Sequence, residues 1–148
     1  EVMASPADIA AVHRAMVADS AQGMKVSDIA TINAAIHAQW GDFPGIPQAE
    51  ADPHLRLHEC CIRQMKDARM AFVMLDVDGH KVSMAVARSK DVTSPRDLLQ
   101  SHDGSTFSVQ KVGELNMVMT QRGPRWICLT GDLPPAQLMD IAQRFLKD

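Results

Sequence analysis

The sequence predicts an α+β fold: an antiparallel sheet of about five or six strands with two N-terminal helices and one C-terminal helix packed on it. In the middle of the chain, runs of β-forming residues are joined by short turns, and stretches with helical spacing of apolar residues lie at both ends. Strands joined by short turns pair antiparallel, and a run that is apolar on both sides needs a cover. We therefore expect one domain over residues 1–148, with its helices on one face of the sheet.

End signals and apolar stripes predict the two N-terminal helices. Ser5-Pro6 is typical of a helix start, and Ser27 provides a second one, which Gly41 ends. The apolar positions of the first helix are Ile9, Val12, Met16 and Val17. Those of the second helix are Ile29, Ile32, Ile36 and Trp40. Both stripes recur at three- and four-residue intervals, as one buried helix face requires.

The first strands follow a connection over residues 42–53 that is rich in proline. Residues 55–65 predict a strand with a bulge or a twist, because their alternation breaks at Cys61 and Ile62. Residues 68–88 predict a hairpin around Asp78-Gly79, a dipeptide that supplies the positive φ angles of a tight turn. The first run of this hairpin is apolar on both faces, which favours a central strand.

The second half of the chain continues the sheet and ends in a helix. Residues 90–106 are polar, and we interpret them as a long excursion with a short helical turn after Ser94-Pro95. Three more strands are predicted over residues 107–112, 114–121 and 125–129. The closing helix starts at residues 132–135, and its inward stripe is Leu138, Ile141, Ala142, Phe145 and Leu146.

Composition and charge exclude several classes of function. The chain has 148 residues, 46% of them hydrophobic, which is typical of an ordinary globular protein. Its net charge is -3 and its basic residues are scattered, so we expect no nucleic-acid partner. No stretch has the roughly 18 to 20 consecutive apolar residues that span a bilayer.

The stretch HLRLHECCIRQM, residues 54–65, carries the densest set of candidate ligands. In an extended strand alternate residues share a face, so His58 and Cys60 are expected on one side and Cys61 on the other. Thiolate and imidazole ligands suit zinc or copper, and methionine support favours Cu(I). The sequence thus offers a metal site at His58, Cys60 and Cys61. Further ligands would come from His80, Met84, Met117 or Met119.

Three other interpretations of these sulfur atoms stay open. Cysteine is often buried as a small hydrophobe, and the ten methionines are consistent with core filling in a chain with few aromatic residues. Cys128 could form a disulfide with Cys60 or Cys61 in an oxidising compartment. A histidine-activated thiol enzyme is the third alternative. The sequence contains no nucleophile elbow, phosphate loop or zinc-protease helix motif, which favours a function other than catalysis.

Four segments resemble a known family in their order and spacing. They are AVHRAMV, KVSDIATINAAIHAQWGDFPGIP, RMAFVMLDVDGHKVSMAVA and MVMTQRGPRWICLTGDLPPAQLMDIAQRF. Together they resemble the extracytoplasmic domain of membrane-anchored anti-sigma factors and related transmembrane transcriptional regulators. Gly123, Trp126 and Gly131-Asp132-Leu133 lie where this family has its last turn, an aromatic residue and the start of its closing helix.

The resemblance implies a non-enzymatic sensor or interaction domain that binds a protein partner or a small ligand. It also implies a periplasmic or other extracytoplasmic location and a membrane anchor upstream of Glu1. The zinc motif of the family's sigma-binding part does not occur in the sequence, and the stretch with Cys60 and Cys61 is not a family feature. An exposed edge strand of the predicted sheet could also pair with a second copy of the chain.

Overall fold

The computed structural model of the protein describes residues 2–18, 24–25, 29–47, 55–65 and 68–146. Its helices are α1 (Pro6–Ala18), α2 (Ile29–Trp40) and α3 (Pro135–Leu146). The strands before the central turn are β1 (Val2–Met3), β2 (Met24–Lys25), β3 (Leu55–Met65) and β4 (Ala68–Val77). The strands after it are β5 (His80–Arg88), β6 (Val92–Thr93), β7 (Leu99–His102), β8 (Ser105–Val112), β9 (Leu115–Arg122) and β10 (Arg125–Gly131).

The sheet is antiparallel and open, and its strand order is β2-β3-β4-β5-β10-β9-β8-β7. It contains seven strands of four residues or more, together with the two-residue edge strand β2. The predicted α+β class is confirmed, and so is the hairpin turn: Asp78 has φ 52° and Gly79 has φ 88°. The short strands β1 and β6 form a separate parallel pair.

Helices cover both faces of this sheet, so the prediction that they lie on one face is wrong. We call the side under α2 and α3 the first face and the side under α1 the second face. The first core includes Ile36, Val73, Leu129 and Leu138. The second core includes Ile9, Phe72, Met119 and Trp126. Because adjacent strand residues point to opposite sides, the doubly apolar β4 needs a cover on each side.

The predicted excursion over residues 90–106 contains strands β6 and β7 instead of a helical turn. Strand β7 pairs with β8 through a two-residue turn at Asp103-Gly104, with φ 49° and 84°. This is the same dipeptide and the same pair of positive φ angles as the central hairpin. The polar composition of β7 concealed it, because an edge strand exposed to solvent lacks the apolar alternation that predicts strands.

The ends of the N-terminal helices follow their predicted signals where the structure describes them. Ser5 Oγ accepts a hydrogen bond from the N–H of Asp8 at 3.3 Å, as a helix cap does. Gly41 follows α2 with φ 55°, and its N–H donates to the carbonyl of His37 at 2.9 Å. The expected start of α2 at Ser27 lies outside the described residues. Val17 is 49% exposed and does not belong to the buried stripe.

The segment after α2 is fastened to that helix by one side chain. Asn33 Nδ2 donates to the carbonyl of Ile46 at 3.0 Å, and the N–H of Ile46 donates to Asn33 Oδ1 at 2.6 Å. The side chain of Ile46 is 1% exposed and lies in the first core. The two hydrogen bonds therefore satisfy a backbone unit that would otherwise be buried without partners.

We expect Asn33→Ala to lower the free energy of unfolding by about 2 kcal/mol, because it removes two hydrogen bonds to a buried backbone unit. Urea denaturation monitored by circular dichroism measures this change. The control is Ser101→Ala on the exposed strand β7, which should change stability by less than about 0.5 kcal/mol. Equal stabilities of Asn33→Ala and the wild type would show that the segment does not depend on Asn33.

Candidate functional site

The predicted zinc or copper site lies on β3, and the structure describes part of it. Strand β3 shifts register against β4 between Leu57 and Glu59, so the predicted bulge occurs at His58 and not at Cys61 and Ile62, where the alternation of the sequence breaks. The bulge interrupts the alternation of side chains between the two faces of the strand at residue 58, so the spacing of His58 and Cys60 does not by itself place them on one face. Cys60 is 1% exposed and lies in the first core. The side chains of His58 and Cys61 lie outside the description, so the site at these three residues stays a prediction.

The proposed supporting ligands do not gather around Cys60. Met84 shares the first core with Cys60, because both residues flank Val73 across the sheet. Met117 and Met119 lie in the second core, on the opposite face of the sheet. His80 begins β5, and its Nδ1 lies 3.1 Å from Asp132 Oδ1. Of the four candidates, Met84 alone shares a core with Cys60.

The sheet register also separates the cysteines. Cys60 pairs with Val73 and Cys61 with Phe72 on β4, whereas Cys128 pairs with Ala85 on β5. Strands β4 and β5 thus lie between β3 and β10, which places the cysteine Cα atoms about 14 Å apart. A disulfide needs Cα atoms within about 7 Å, so Cys128 bonds neither of the other two. Burial raises the pKa of Cys128 to about 12, so its thiol stays protonated and unreactive.

A buried serine and histidine pair joins α1 to the sheet. His13 Nδ1 and Ser83 Oγ form a hydrogen bond of 2.8 Å. Residues His13 and Ser83 are 4% and 1% exposed. The pKa of His13 is lowered from 6.5 to about 4, chiefly by burial and to a smaller extent by Arg14, while Asp132 and Glu114 act in the opposite direction. This pair resembles a catalytic dyad in composition only, because a substrate has no access to a serine enclosed by the core.

A second histidine ties the edge strand to the last helix. His102 Nε2 lies 2.6 Å from Asp140 Oδ1 on α3 and 3.6 Å from Asp103 Oδ2. Gln143 Nε2, also on α3, donates to the carbonyl of His102 at 2.9 Å. These contacts fix α3 against β7. His102, Asp103 and Asp140 each offer one possible metal-ligand atom within 4.8 Å of the others, but His102 Nε2 already faces both carboxylates, which are exposed.

The described residues enclose an open cavity of about 730 Å³, which we call the polar groove. Its walls are residues 93–96, residues 103–106 at the β7–β8 turn, and the end of α3. Its floor contains Ser108 and residues 119–122. Hydroxyl, amide and guanidinium groups dominate the lining. A volume of this size is in the range of small-molecule sites.

One wall of the polar groove is a segment that is anchored to the sheet, the strap of residues 93–98. Trp126 Nε1 donates to Ser94 Oγ at 2.9 Å, and Gln110 Nε2 donates to Asp97 Oδ1 at 3.2 Å. The carbonyl of Leu98 accepts from the N–H of Val109 at 3.1 Å. Leu98 has φ 55°, a conformation that costs a branched residue about 1 kcal/mol or more. The anchors hold the strap in this shape with Arg96 between them.

Sequence reasoning did not single out the polar groove. The sequence predicts a short helical turn after Ser94-Pro95, and the predicted binding residues include neither Arg96 nor Ser108. The missed signal was Asp103-Gly104, which repeats the Asp-Gly turn that identified the central hairpin. Recognising it would have placed β7 and β8 side by side. The approach of the strap to this hairpin is a tertiary contact that no local pattern encodes.

The buried His13 should make stability depend on pH. Its folded pKa is lowered, so between about pH 6.5 and 4 the unfolded chain binds a proton that the folded chain does not. Acidification through this range therefore favours unfolding, by about 3 kcal/mol at most, and the stability is fully present above pH 6.5. Urea denaturation at pH 7 and pH 4.5 measures the loss.

The control for this prediction is His13→Gln, which keeps a polar side chain and removes the titration. The wild type should lose about 2 to 3 kcal/mol more than the variant between these two pH values. Equal losses would show that His13 is protonated in the folded protein as readily as in the unfolded chain.

Comparison of the chain with protein-family models and with curated protein sequences finds no match. No helix within the described ranges combines the length and the apolar character that crossing a membrane requires.

Proposed function

We propose that the protein is a non-enzymatic sensor domain that binds a small ligand or partner segment in the polar groove. The single observation that supports it is the groove itself, an open cavity of about 730 Å³ beside an anchored strap. The four sequence segments that resemble extracytoplasmic domains of anti-sigma regulators suggest the context. On this proposal the domain faces the periplasm or another extracytoplasmic space and passes its binding state to a transcriptional regulator.

The chemistry of the described side chains supports binding rather than catalysis. Ser83 and His13 lie in the interior, away from the polar groove. The Cys128 thiol is buried and, with a pKa near 12, is not a nucleophile at neutral pH. In the groove, Thr120 Oγ1 donates to the carbonyl of Thr106 at 2.9 Å, an interaction that fixes the floor. Fixed polar groups of this kind orient a ligand without any bond being made or broken.

The charge of the chain supports a protein or small-molecule partner. The net charge of -3 opposes the accumulation of nucleic acid on the surface. The polar groove is too open to enclose a whole ligand, so part of a bound molecule would stay accessible to a second protein. Such a geometry suits a domain that reports occupancy to a partner.

Gene replacement in the native organism tests this function. Deleting the gene should change transcription of a discrete set of genes, because an anti-sigma regulator releases its sigma factor when it is lost. Thr106→Trp should abolish the transcriptional response to the natural signal, since it fills the groove. The carbonyl of Thr106, not its side chain, accepts the bond from Thr120, so this variant keeps the floor intact.

The matched control is Lys111→Trp, an equally large aromatic side chain at an exposed position of the same strand, outside the groove lining. This variant should respond as the wild type does. RNA sequencing measures both responses. An unchanged transcriptome after gene deletion would contradict a regulatory role, and a normal response in Thr106→Trp would contradict a role for the groove.

A further inference from the structure

Two serine hydroxyls that line the polar groove have a donor hydrogen for which the described residues provide no acceptor. Ser108 is 2% exposed, and its Oγ accepts a hydrogen bond from Gln110 Nε2 at 3.1 Å. Ser94 Oγ accepts from Trp126 Nε1 at 2.9 Å. A hydroxyl has one donor hydrogen and two lone pairs, so each serine can still donate. Leaving a buried hydrogen-bond donor without an acceptor costs about 1 to 3 kcal/mol. A ligand atom that accepts a hydrogen bond from the Ser108 hydroxyl would remove this cost.

The net charge of the groove lining is positive, whereas the net charge of the whole chain is negative. The lining contains two guanidinium groups, Arg96 and Arg122, and one carboxylate, Asp103, which gives a net charge of +1. The whole chain has a net charge of -3. Asp97, beside Arg96 in the strap, bonds the amide of Gln110 instead, and the described residues place no acidic side chain within salt-bridge distance of Arg96.

We infer that the ligand of the polar groove is a small oxyanion, a carboxylate or phosphate compound, held by Arg96 and by the hydroxyls of Ser94 and Ser108. This assignment rests on the proposed function of the groove. An oxyanion presents only acceptors, and it therefore matches two hydroxyl donors and a guanidinium at once. The hydroxyls are already oriented by Trp126 and Gln110, so little side-chain freedom is lost when the ligand binds.

Isothermal titration of the purified domain with inorganic phosphate, with citrate and with glucose tests the inference. Phosphate or citrate should bind, and whichever binds more tightly tells a phosphate ligand from a carboxylate ligand, whereas glucose should not bind. Arg96→Gln should weaken anion binding about tenfold, the loss expected for one charge-assisted hydrogen bond. Lys111→Gln makes the same change in net charge outside the groove and should keep the affinity within about twofold.

A second variant and a spectroscopic measurement locate the site. Ser108→Ala should weaken binding about fivefold, the effect of losing one neutral hydrogen bond. Amide chemical shifts on titration should change at Gly104, Thr106 and Ser108 of the wild type. Thermal unfolding of each variant without ligand shows whether it is folded.

Several results would overturn the oxyanion site: no binding of either anion, equal losses in Arg96→Gln and Lys111→Gln, or chemical-shift changes away from the groove. If both anions fail while Thr106→Trp still abolishes the transcriptional response, the oxyanion inference is wrong and the sensor function stands. If the anions bind as expected and gene deletion leaves transcription unchanged, the oxyanion site stands and the regulatory role is wrong.

Discussion

Strands β4 and β5 bury side chains on both faces of the sheet, and the positions of the other elements follow from this requirement. The first face is closed by α2 and α3, and the second by α1 together with the strap, which reaches Trp126. The covering elements on each face do not extend over the whole width of the sheet. Where the strap, the β7–β8 turn and the end of α3 meet, the covering elements leave the polar groove between them.

The groove combines segments that are far apart in the sequence but rigid in space. The strap is held by the side chains of Trp126 and Gln110 and by the backbone of Val109, and α3 is held by His102. A site built on such anchors needs little rearrangement to receive a ligand, so more of the contact energy remains for affinity. The positive φ angle of Leu98 is consistent with this view, because neighbouring contacts maintain a backbone shape that the residue alone disfavours.

The parts of the fold that depend on local patterns could be predicted from the sequence. Ser5-Pro6, Gly41 and Asp78-Gly79 determine their helix or turn through their own conformational preferences. Broken alternation indicated an irregularity in β3, but it indicated Cys61 and Ile62, and the bulge is at His58. The division of the helices between two faces was not visible, since an amphipathic stripe does not specify which side of a sheet it meets. The groove escaped prediction for a related reason: Ser94 and Ser108 acquire their chemistry from Trp126 and Gln110 through tertiary contacts.

The depth of Cys128 has a practical consequence for following the molecule in solution. A thiolate is the species that attacks alkylating reagents, and a pKa near 12 leaves a very small fraction of it at neutral pH while the core is closed. An alkylating reagent can therefore react with Cys128 only when the second core opens. The rate of mass gain at Cys128 would then act as a clock for rare opening events, readable without attaching any foreign probe to the chain.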